Sequence, residues 1–331
     1  MTSPSPAVLV RARPGGLLLD LETGALFRLN DSATFVWESW LAGRSAPEIA
    51  ASLAERHGLA LPATQKQVDE ALLLTGDPSV PFAPLGDYRY RRAGNGYVFS
   101  RDEIPLLWLD EKTGGLTLAD PYPTGHGDPF TVLMAIAPKL TAFRGQFVLH
   151  ASAALLDGRL MAVCGVSGAG KTTTVRALVR AGAAPVSEDK LVVRTTDAGV
   201  VGLIEGEPLI NAWVRGVVER LAAGLPATCN DLDGALEGRW VPLCEIGFID
   251  SVRRSGEAVV ATELSPLDAA HAVFQNAFYG SDRPTDWERQ LRMAAELASR
   301  VPAVELGMPA GLPALEAAAG PLVRGGSFRS K

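Results

Sequence analysis

A glycine-rich turn followed by a lysine and three threonines lies within residues 162–182, AVCGVSGAGKTTTVRALVRAG. Gly165, Gly170, Lys171 and Thr172 satisfy the spacing G-x-x-x-x-G-K-[ST]. In such a loop the glycines let backbone N–H groups converge on a phosphate, the lysine reaches the terminal phosphate oxygens, and the threonine hydroxyl ligates Mg²⁺. The pattern predicts a site for a nucleoside triphosphate with magnesium; we take the nucleotide to be ATP, although the motif does not distinguish ATP from GTP. The residues predicted to bind the nucleotide are Gly165, Val166, Ser167, Gly168, Ala169, Gly170, Lys171, Thr172 and Thr173.

The segments on both sides of this loop have the patterns that the chemistry needs. The apolar run LMAVCGV before it is typical of a buried strand, and TTTVRALVRAG after it predicts a helix that ends at Gly182. The positive end of that helix adds to the anion site. Upstream, FVLHASAALLDGRLMAV predicts a hairpin that turns at Asp157-Gly158, with His150 on the arm opposite the loop strand. Downstream, Glu188 and Asp189 precede the apolar LVV, which suits acids at the rim of a sheet.

Composition narrows the classes of partner. A chain of 331 residues with 47% hydrophobic side chains can bury a substantial core, and its net charge of −6 argues against nucleic acid as a partner. No apolar run approaches the ~20 residues that cross a bilayer, so no membrane partner is expected. The three cysteines form no paired spacing, which indicates a reducing compartment and, with no signal-peptide pattern at the amino terminus, a cytoplasmic protein. The histidines form no ligand set with one another, and we expect no structural metal.

The chain divides into two predicted domains. Residues 1–76 contain three short strands around tight turns and then three helices, the third over 65–76, which predicts a small winged-helix-like α+β module. Prolines and glycines in GDPSVPFAPLGD predict a linker at 77–87. Residues 88–331 begin with strands up to about residue 118 and continue with the helical FTVLMAIAPKLTAF. Strands and helices then alternate, which predicts an α/β domain with a helix-covered sheet.

The order LHASA, GVSGAGKT and then two adjacent acids before a strand resembles the HPr kinase/phosphorylase family and its relatives in peptide-modifying gene clusters. The resemblance covers about residues 86 to 315, and it implies an α/β P-loop kinase fold shared with phosphoenolpyruvate carboxykinases. It implies that Glu188 is the base toward the acceptor hydroxyl, that Asp189 is a metal-site acid, and that His150 sits beside the base. The catalytic residues implied in this way are His150, Lys171, Glu188 and Asp189, and the metal ligands are Thr172, Asp189 and Glu205, with Glu207 as the alternative to Glu205.

This sequence departs from that family at two places, and both limit which of the family's residue roles and substrates can be assigned to it. The first acid is Glu188 rather than aspartate, which moves the carboxylate by about one bond length, and phosphoryl transfer is sensitive to such positioning. The HPr-recognition loop of the family is not visible in VGLIEGEPLINAWVRG, so HPr is not the expected acceptor. Homo-oligomers occur in the family, and the resemblance leaves the oligomeric state open.

Residues 8–74 resemble the PqqD-like family, on the stretch LLLDLETGALFRLNDSATFVWESWLAGRSAPEIAASLAERHG. Members of that family bind the leader of a ribosomally made precursor peptide by adding it as a strand to their sheet. A three-stranded sheet packed on helices has a free edge that can accept an extended peptide, with side chains entering a groove against the third helix. The third helix carries Asp69 and Glu70, with Lys66 as its one cation, which favours a peptide over DNA.

Together these features predict a kinase that phosphorylates a Ser or Thr hydroxyl of a precursor peptide, a lasso-type precursor being one candidate. Two alternatives stay open at this point. The chain could be a nucleotide-gated scaffold that delivers the leader without catalysis, or, less favoured, a DNA-binding regulator that senses nucleotides. The sequence gives neither the precursor nor its acceptor residue.

Overall fold

A computed structural model describes residues 7–21, 25–73, 88–143, 146–256, 258–278 and 284–329. The helices are α1 (Asp31–Leu41), α2 (Ala46–His57), α3 (Leu61–Leu72), α4 (Pro129–Phe143), α5 (Lys171–Arg180), α6 (Gly206–Ala222), α7 (Leu232–Ala235), α8 (Pro266–Gln275), α9 (Pro284–Arg300) and α10 (Leu312–Gly325). The strands are β1 (Ala7–Arg11), β2 (Gly16–Asp20), β3 (Leu26–Leu29), β4 (Tyr88–Ala93), β5 (Gly96–Arg101), β6 (Ile104–Asp110), β7 (Gly115–Leu118), β8 (Phe147–Leu156), β9 (Arg159–Cys164), β10 (Ala184–Ser187), β11 (Lys190–Thr196), β12 (Gly199–Leu203), β13 (Ala227–Thr228), β14 (Trp240–Ser255), β15 (Val260–Glu263) and β16 (Ala303–Pro309).

Two compact units make up the chain. The first comprises Met1–Phe82 together with the late segments Glu263–Gln275 and Asp282–Val304. The second comprises Ala83–Thr262, Asn276–Ser281 and Glu305–Lys331. The two late segments of the first unit belong, in the sequence-based division, to the region 88–331. The linker at 77–87 lies outside the described residues, so that boundary stays a prediction.

The first unit begins with the three strands and three helices that the sequence predicts. The strands form an antiparallel sheet in the order β1-β2-β3. The Asn30 side chain caps α1 by accepting a hydrogen bond of 2.8 Å from the Ala33 N–H, and the Glu48 carboxylate accepts one of 2.8 Å from the Ser45 N–H at the start of α2. Helix α3 begins at Leu61, before the predicted Gln65, because Pro62 is tolerated in a first helical turn that lacks N–H partners anyway.

Both faces of the small sheet are covered. All five residues of β2 are buried, although a sheet with one wet face would alternate. Leu18 of β2 packs with Phe27 and Leu29 of β3 and with Trp37 of α1. On the other side, α8 packs against β2 and α9 against β1, and the guanidinium of Arg28 pairs with the Asp268 carboxylate of α8. The late helices therefore complete the core of the first unit.

His271, on α8, gives the first unit a pH-dependent stability. Burial and, to a lesser extent, the charge of Arg28 lower the pKa of its imidazole from 6.5 to about 4, while the charge of Asp268 opposes the shift. Between those pH values the unfolded chain binds a proton that the folded chain does not, so the free energy of unfolding falls as the pH drops from 6.5 to 4. After allowance for partial solvent screening we expect a loss of about 2 kcal/mol.

The measurement for His271 is the melting temperature between pH 4.5 and pH 7, for the wild type and for His271→Gln. We expect the variant to lose part of the decline at low pH, because the neutral amide does not titrate. Parallel curves for the two proteins would contradict a neutral, buried imidazole at this position.

The second unit contains a five-stranded sheet and an eight-stranded sheet. The smaller has the order β13-β7-β6-β5-β4 and packs on α4 and α6, around a core that includes Phe99, Leu133 and Val214. Its strands from Tyr88 to Leu118 and the helix α4 confirm the elements predicted for that stretch. Within the described part of the chain, no helix is long and apolar enough to cross a membrane.

The larger sheet positions the candidate site. Its order is β10-β8-β11-β12-β14-β16-β15, with β9 paired to both β8 and β14, so that β8, β11, β12, β14 and β9 form a closed circuit of pairings. Residues 147–150 of β8 pair with β11, and residues 151–156 pair with β9. The long strand β8 therefore borders both the loop that follows β9 and the acids that precede β11.

Candidate functional site

The glycine-rich motif lies on a strand, a turn and a helix, as the sequence predicts. Strand β9 is buried between β8 and β14 and ends at Cys164, and α5 begins at Lys171. Burial raises the pKa of the Cys164 thiol to about 12, so this side chain stays a neutral thiol at the end of the strand. The segment from Gly165 to Thr172, called the phosphate loop below, joins the two elements.

The backbone of the phosphate loop adopts conformations that favour glycine. Gly168 and Gly170 have φ angles of 79° and 106°, in a region that L side chains rarely occupy. No atom lies within 4 Å of the position that a Cβ would take at either residue. Val166, Ser167 and Gly168 are exposed, and the Ala169 N–H donates to the Val166 carbonyl at 3.1 Å. The loop is thus an open turn whose shape is set by its own backbone.

Lys171 folds back over the phosphate loop. The residue is 7% exposed, and its Nζ donates to the carbonyls of Gly165 at 2.9 Å and Val166 at 3.4 Å. Burial lowers the pKa of its ammonium group, while the charge of Asp189 opposes that shift. A cation held at the loop in this way suits an anionic ligand.

The structure brings His150 to Asp189. The Nε2 of His150, a residue in β8 that is 6% exposed, lies 3.0 Å from Oδ1 of Asp189. Burial raises the pKa of the Asp189 carboxyl, but the hydrogen bond from His150 and the charges of Lys190 and Lys171 outweigh it, so the net pKa is lowered. The backbone N–H of His150 donates to the Asn276 carbonyl at 2.7 Å, which fixes the strand behind the ring. The second acid is therefore ionised and oriented.

The first acid has a different neighbour. Glu188 is exposed, and its carboxylate lies 3.2 Å from the Arg176 guanidinium of α5. The resemblance implies His150 beside Glu188, whereas the carboxylate 3.0 Å from the His150 ring is that of Asp189. Sequence reasoning did not single out Arg176. Its position one turn after Thr172 on the same helix was the available signal, because residues i and i+4 share a face.

Glu207 holds the segment that carries both acids. Its Oε2 accepts hydrogen bonds from the Glu188 N–H at 2.7 Å, the Ser187 hydroxyl at 3.2 Å and the Asp189 N–H at 3.4 Å. We call residues 187–189 the acid loop. Strand β8 holds the other side of the acid loop, because the Ala151 N–H donates to the Asp189 carbonyl at 3.2 Å.

Glu205 has a separate set of contacts. Its Oε2 accepts the Arg239 N–H at 2.9 Å, and its Oε1 lies 3.9 Å from the Arg239 side chain. Of the two carboxylates that the sequence offered as metal ligands, Glu207 contacts the acid loop and Glu205 contacts Arg239. Among the described residues, no group of three or more His, Cys, Asp or Glu side chains is arranged to hold a metal ion.

A cleft of about 650 Å³ opens beside the phosphate loop, between α5, β10 and the start of α6. We call it the α5–α6 cleft. Its lining residues are Ser152, Thr172, Val175, Arg176, Val179, Arg180, Pro185, Val186, Ser187, Glu188, Glu207, Pro208 and Asn211. One concave surface thus contains Thr172, Glu188 and Glu207.

In the first unit, β3 is the end strand of its sheet. The order β1-β2-β3 places one neighbour beside β3 among the described residues. Helix α9 packs against the other end strand, β1. Near the third helix, the Trp37 indole N–H donates to the Ala71 carbonyl at 2.9 Å, and Leu72 packs into the same cluster. The apolar cluster on β3 thus includes the buried Trp37 and the partly buried Leu72.

Comparison with known proteins places the first part of the chain. No curated protein matches the chain. The family model described as coenzyme PQQ synthesis protein D (PqqD) matches residues 15–73, which run from the turn before β2 to the end of α3. The small N-terminal domain, with its mixed α/β content, is therefore PqqD-like.

Proposed function

We propose that this protein is an ATP-dependent kinase that phosphorylates a Ser or Thr hydroxyl of a ribosomally made precursor peptide, whose leader binds the PqqD-like domain. The observation that carries the proposal is the conjunction, in one chain, of that domain with a phosphate loop and two adjacent acids whose backbone N–H groups Glu207 holds. The kinase fold and the activity rest on the motif, on the contacts of its residues and on the resemblance to HPr kinases. The peptide partner rests on the PqqD-like domain.

The leader half of the proposal uses the edge of β3. An extended peptide added there would lie beside β3, the end strand in the described order β1-β2-β3. Its alternate side chains would face the apolar surface at Leu72, which packs against the cluster that contains Trp37. Main-chain pairing gives affinity for any extended segment, and the apolar surface gives preference for a leader with apolar residues at alternate positions.

The residues of the phosphate loop suit the proposed binding of a nucleotide. The open turn at Gly168 and Gly170 leaves room for a phosphate against the backbone, and the Lys171 ammonium supplies a buried positive charge. Thr172 and Asp189 would hold Mg²⁺, with Glu207 or Glu205 as a further carboxylate. The metal would neutralise charge on the transferring group, and ATP would supply its γ-phosphoryl group.

The proton and the phosphoryl group follow a balanced path. The acceptor hydroxyl oxygen forms a bond to the γ-phosphorus, the bond from that phosphorus to the bridging oxygen breaks, and ADP leaves. Glu188 takes the hydroxyl proton, while His150 keeps Asp189 oriented through the contact of 3.0 Å. Binding of the leader raises the effective concentration of the acceptor to about the millimolar range, so a weakly selective site suffices.

The experiment is incubation of the full chain with ATP, Mg²⁺ and the precursor encoded beside its gene, followed by mass spectrometry. We expect one added phosphate, about 80 Da, on a Ser or Thr of the core segment. ATP binding without any added phosphate would reject the kinase and favour a nucleotide-gated scaffold. Failure of the leader to bind would reject the peptide half.

Glu207 gives a prediction about positioning. Glu207→Ala removes the acceptor of the Glu188 and Asp189 N–H groups, so we expect kcat to fall about 30-fold while KM for ATP changes little, because the acid loop moves by a fraction of an ångström. Glu207→Gln keeps an acceptor oxygen and should recover most of that loss.

The matched control for Glu207 is Glu219→Gln, at an exposed position of the same helix. Steady-state kinetics on the three variants, with circular dichroism to check folding, make the comparison. Equal effects of the Ala and Gln variants on kcat would show that the charge of Glu207 matters rather than its hydrogen bonds, and would contradict the positioning role.

A further inference from the structure

The α5–α6 cleft lies on the acceptor side of the proposed reaction. Thr172, at the phosphate end of the motif, and Glu188, the proposed base, both line it. A base has to reach the acceptor hydroxyl within hydrogen-bond distance, so the segment that carries the hydroxyl has to enter the space in front of Glu188. That space is the cleft.

The walls of the cleft suit a short peptide segment. Val175, Val179 and Val186 give it an apolar side, and its volume of about 650 Å³ falls in the range of sites that enclose a small ligand or a few residues. Its cations, Arg176 and Arg180, both project from α5. Glu188 and Glu207 line the cleft as well, so it suits a partly apolar segment whose negative group faces the arginines of α5.

The two arginines form ion pairs with different acids, and only one of those acids is the proposed base. Arg180 pairs with Glu316, outside the acid loop. Arg176 pairs with Glu188, and the Nη2 atom of Arg176 lies 3.2 Å and 3.5 Å from the two carboxylate oxygens of Glu188. Both oxygens of the proposed base thus face a cation, so an acceptor hydroxyl that is to donate to either oxygen has to compete with Arg176 for it.

This pairing is weak enough to exchange. The side chains of Arg176 and Glu188 are 64% and 66% exposed, and ion pairs between such exposed side chains contribute little and are screened by salt. A carboxylate brought into the cleft by a leader-bound substrate would compete with Glu188 for Arg176 at a high effective concentration.

We infer that the cleft selects an acceptor segment bearing an acidic side chain beside the hydroxyl residue, and that this carboxylate takes Arg176 from Glu188 and frees Glu188 as the base. The inference rests on the proposed kinase function. Because Arg176 touches the base itself, the acidic residue lies one or two positions from the acceptor, at about 3.3 Å of extended chain per residue.

The experiment uses the full chain with ATP, Mg²⁺ and precursors that keep the leader. Two precursors differ only in Glu or Gln at the position next to the acceptor hydroxyl. We expect kcat/KM to be about threefold higher for the Glu precursor, a ratio within the range of one exposed charge pair. Arg176→Gln should bring the ratio close to one, chiefly by raising the rate on the Gln precursor, since Glu188 is then always free.

Arg176→Glu should reverse the selection, so that a precursor with Lys at the same position reacts faster than the one with Glu. The control is Arg215→Gln, which removes an exposed arginine of α6 outside this cleft and should leave the ratio unchanged. An unchanged ratio in Arg176→Gln, or an equal slowing of both precursors, would overturn the inference alone. Absence of phosphate on every precursor with the wild type would overturn the proposed function and the inference together.

Discussion

Replacing Lys171 by alanine is expected to lower kcat/KM for phosphoryl transfer by about 10³-fold, which corresponds to about 4 kcal/mol of lost transition-state stabilisation. The ammonium is buried at the phosphate loop and donates to the carbonyls of Gly165 and Val166, so in the proposed reaction it would lie where charge develops on the transferring group. The reaction is followed by mass spectrometry of the precursor, and ATP affinity by titration calorimetry with Mg²⁺.

Lys171 also holds the loop together, and a second variant separates that role from its charge. Lys171→Met has a similar volume and no charge, so it should fold like the wild type and still lose most of the activity. The control is Lys112→Ala, at an exposed lysine in the turn between β6 and β7. Wild-type rates in the Met variant would refute the assignment of the phosphate loop, and so would undiminished ATP binding in both variants.

Removal of the leader from the precursor is expected to lower kcat/KM about 100-fold at micromolar peptide, because the acceptor then loses its effective concentration in the millimolar range. The turnover at saturating peptide should change much less, since the leader contributes binding rather than chemistry. Initial rates over a range of peptide concentrations separate the two quantities.

A modified leader tests how the peptide binds. Strand pairing uses the N–H groups of every second residue on one side of the peptide. N-methylation of the leader amides that face β3 should therefore remove the rate gain that the leader gives. N-methylation of the amides that face away from β3 should leave that gain intact. Equal effects of both methylation registers would contradict addition of the leader as a strand. Free leader added in trans should inhibit the intact precursor by competition.

Local features of the sequence were sufficient for much of the fold. The three strands and three helices of residues 7–72, the hairpin around Asp157-Gly158, and the strand, turn and helix around Lys171 were all predicted from patterns of a few residues. A helix cap such as Asn30 and a turn such as Asp157-Gly158 involve residues at most about four positions apart, so both can be recognised from the local sequence.

The assignment of neighbours at the site needed the tertiary structure. The sequence named His150, Glu188 and Asp189, but the pairing of β8 with β11 places His150 opposite Lys190 and so beside Asp189. Likewise, Glu205 and Glu207 are two residues apart near the start of one helix. Their different partners depend on where α6 meets the acid loop and the segment at Arg239.

The sequence by itself determined which residues could bind phosphate and which short elements carry them, because motif spacing, capping and hydrophobic period are local properties of the chain. The tertiary structure alone decided that Arg176 engages Glu188, that Glu207 holds the acid loop, and that α8 and α9 cover the sheet of the PqqD-like domain. The reason is physical. Those contacts depend on strand register and helix packing, which join residues far apart in the chain and leave no periodic signal in either partner.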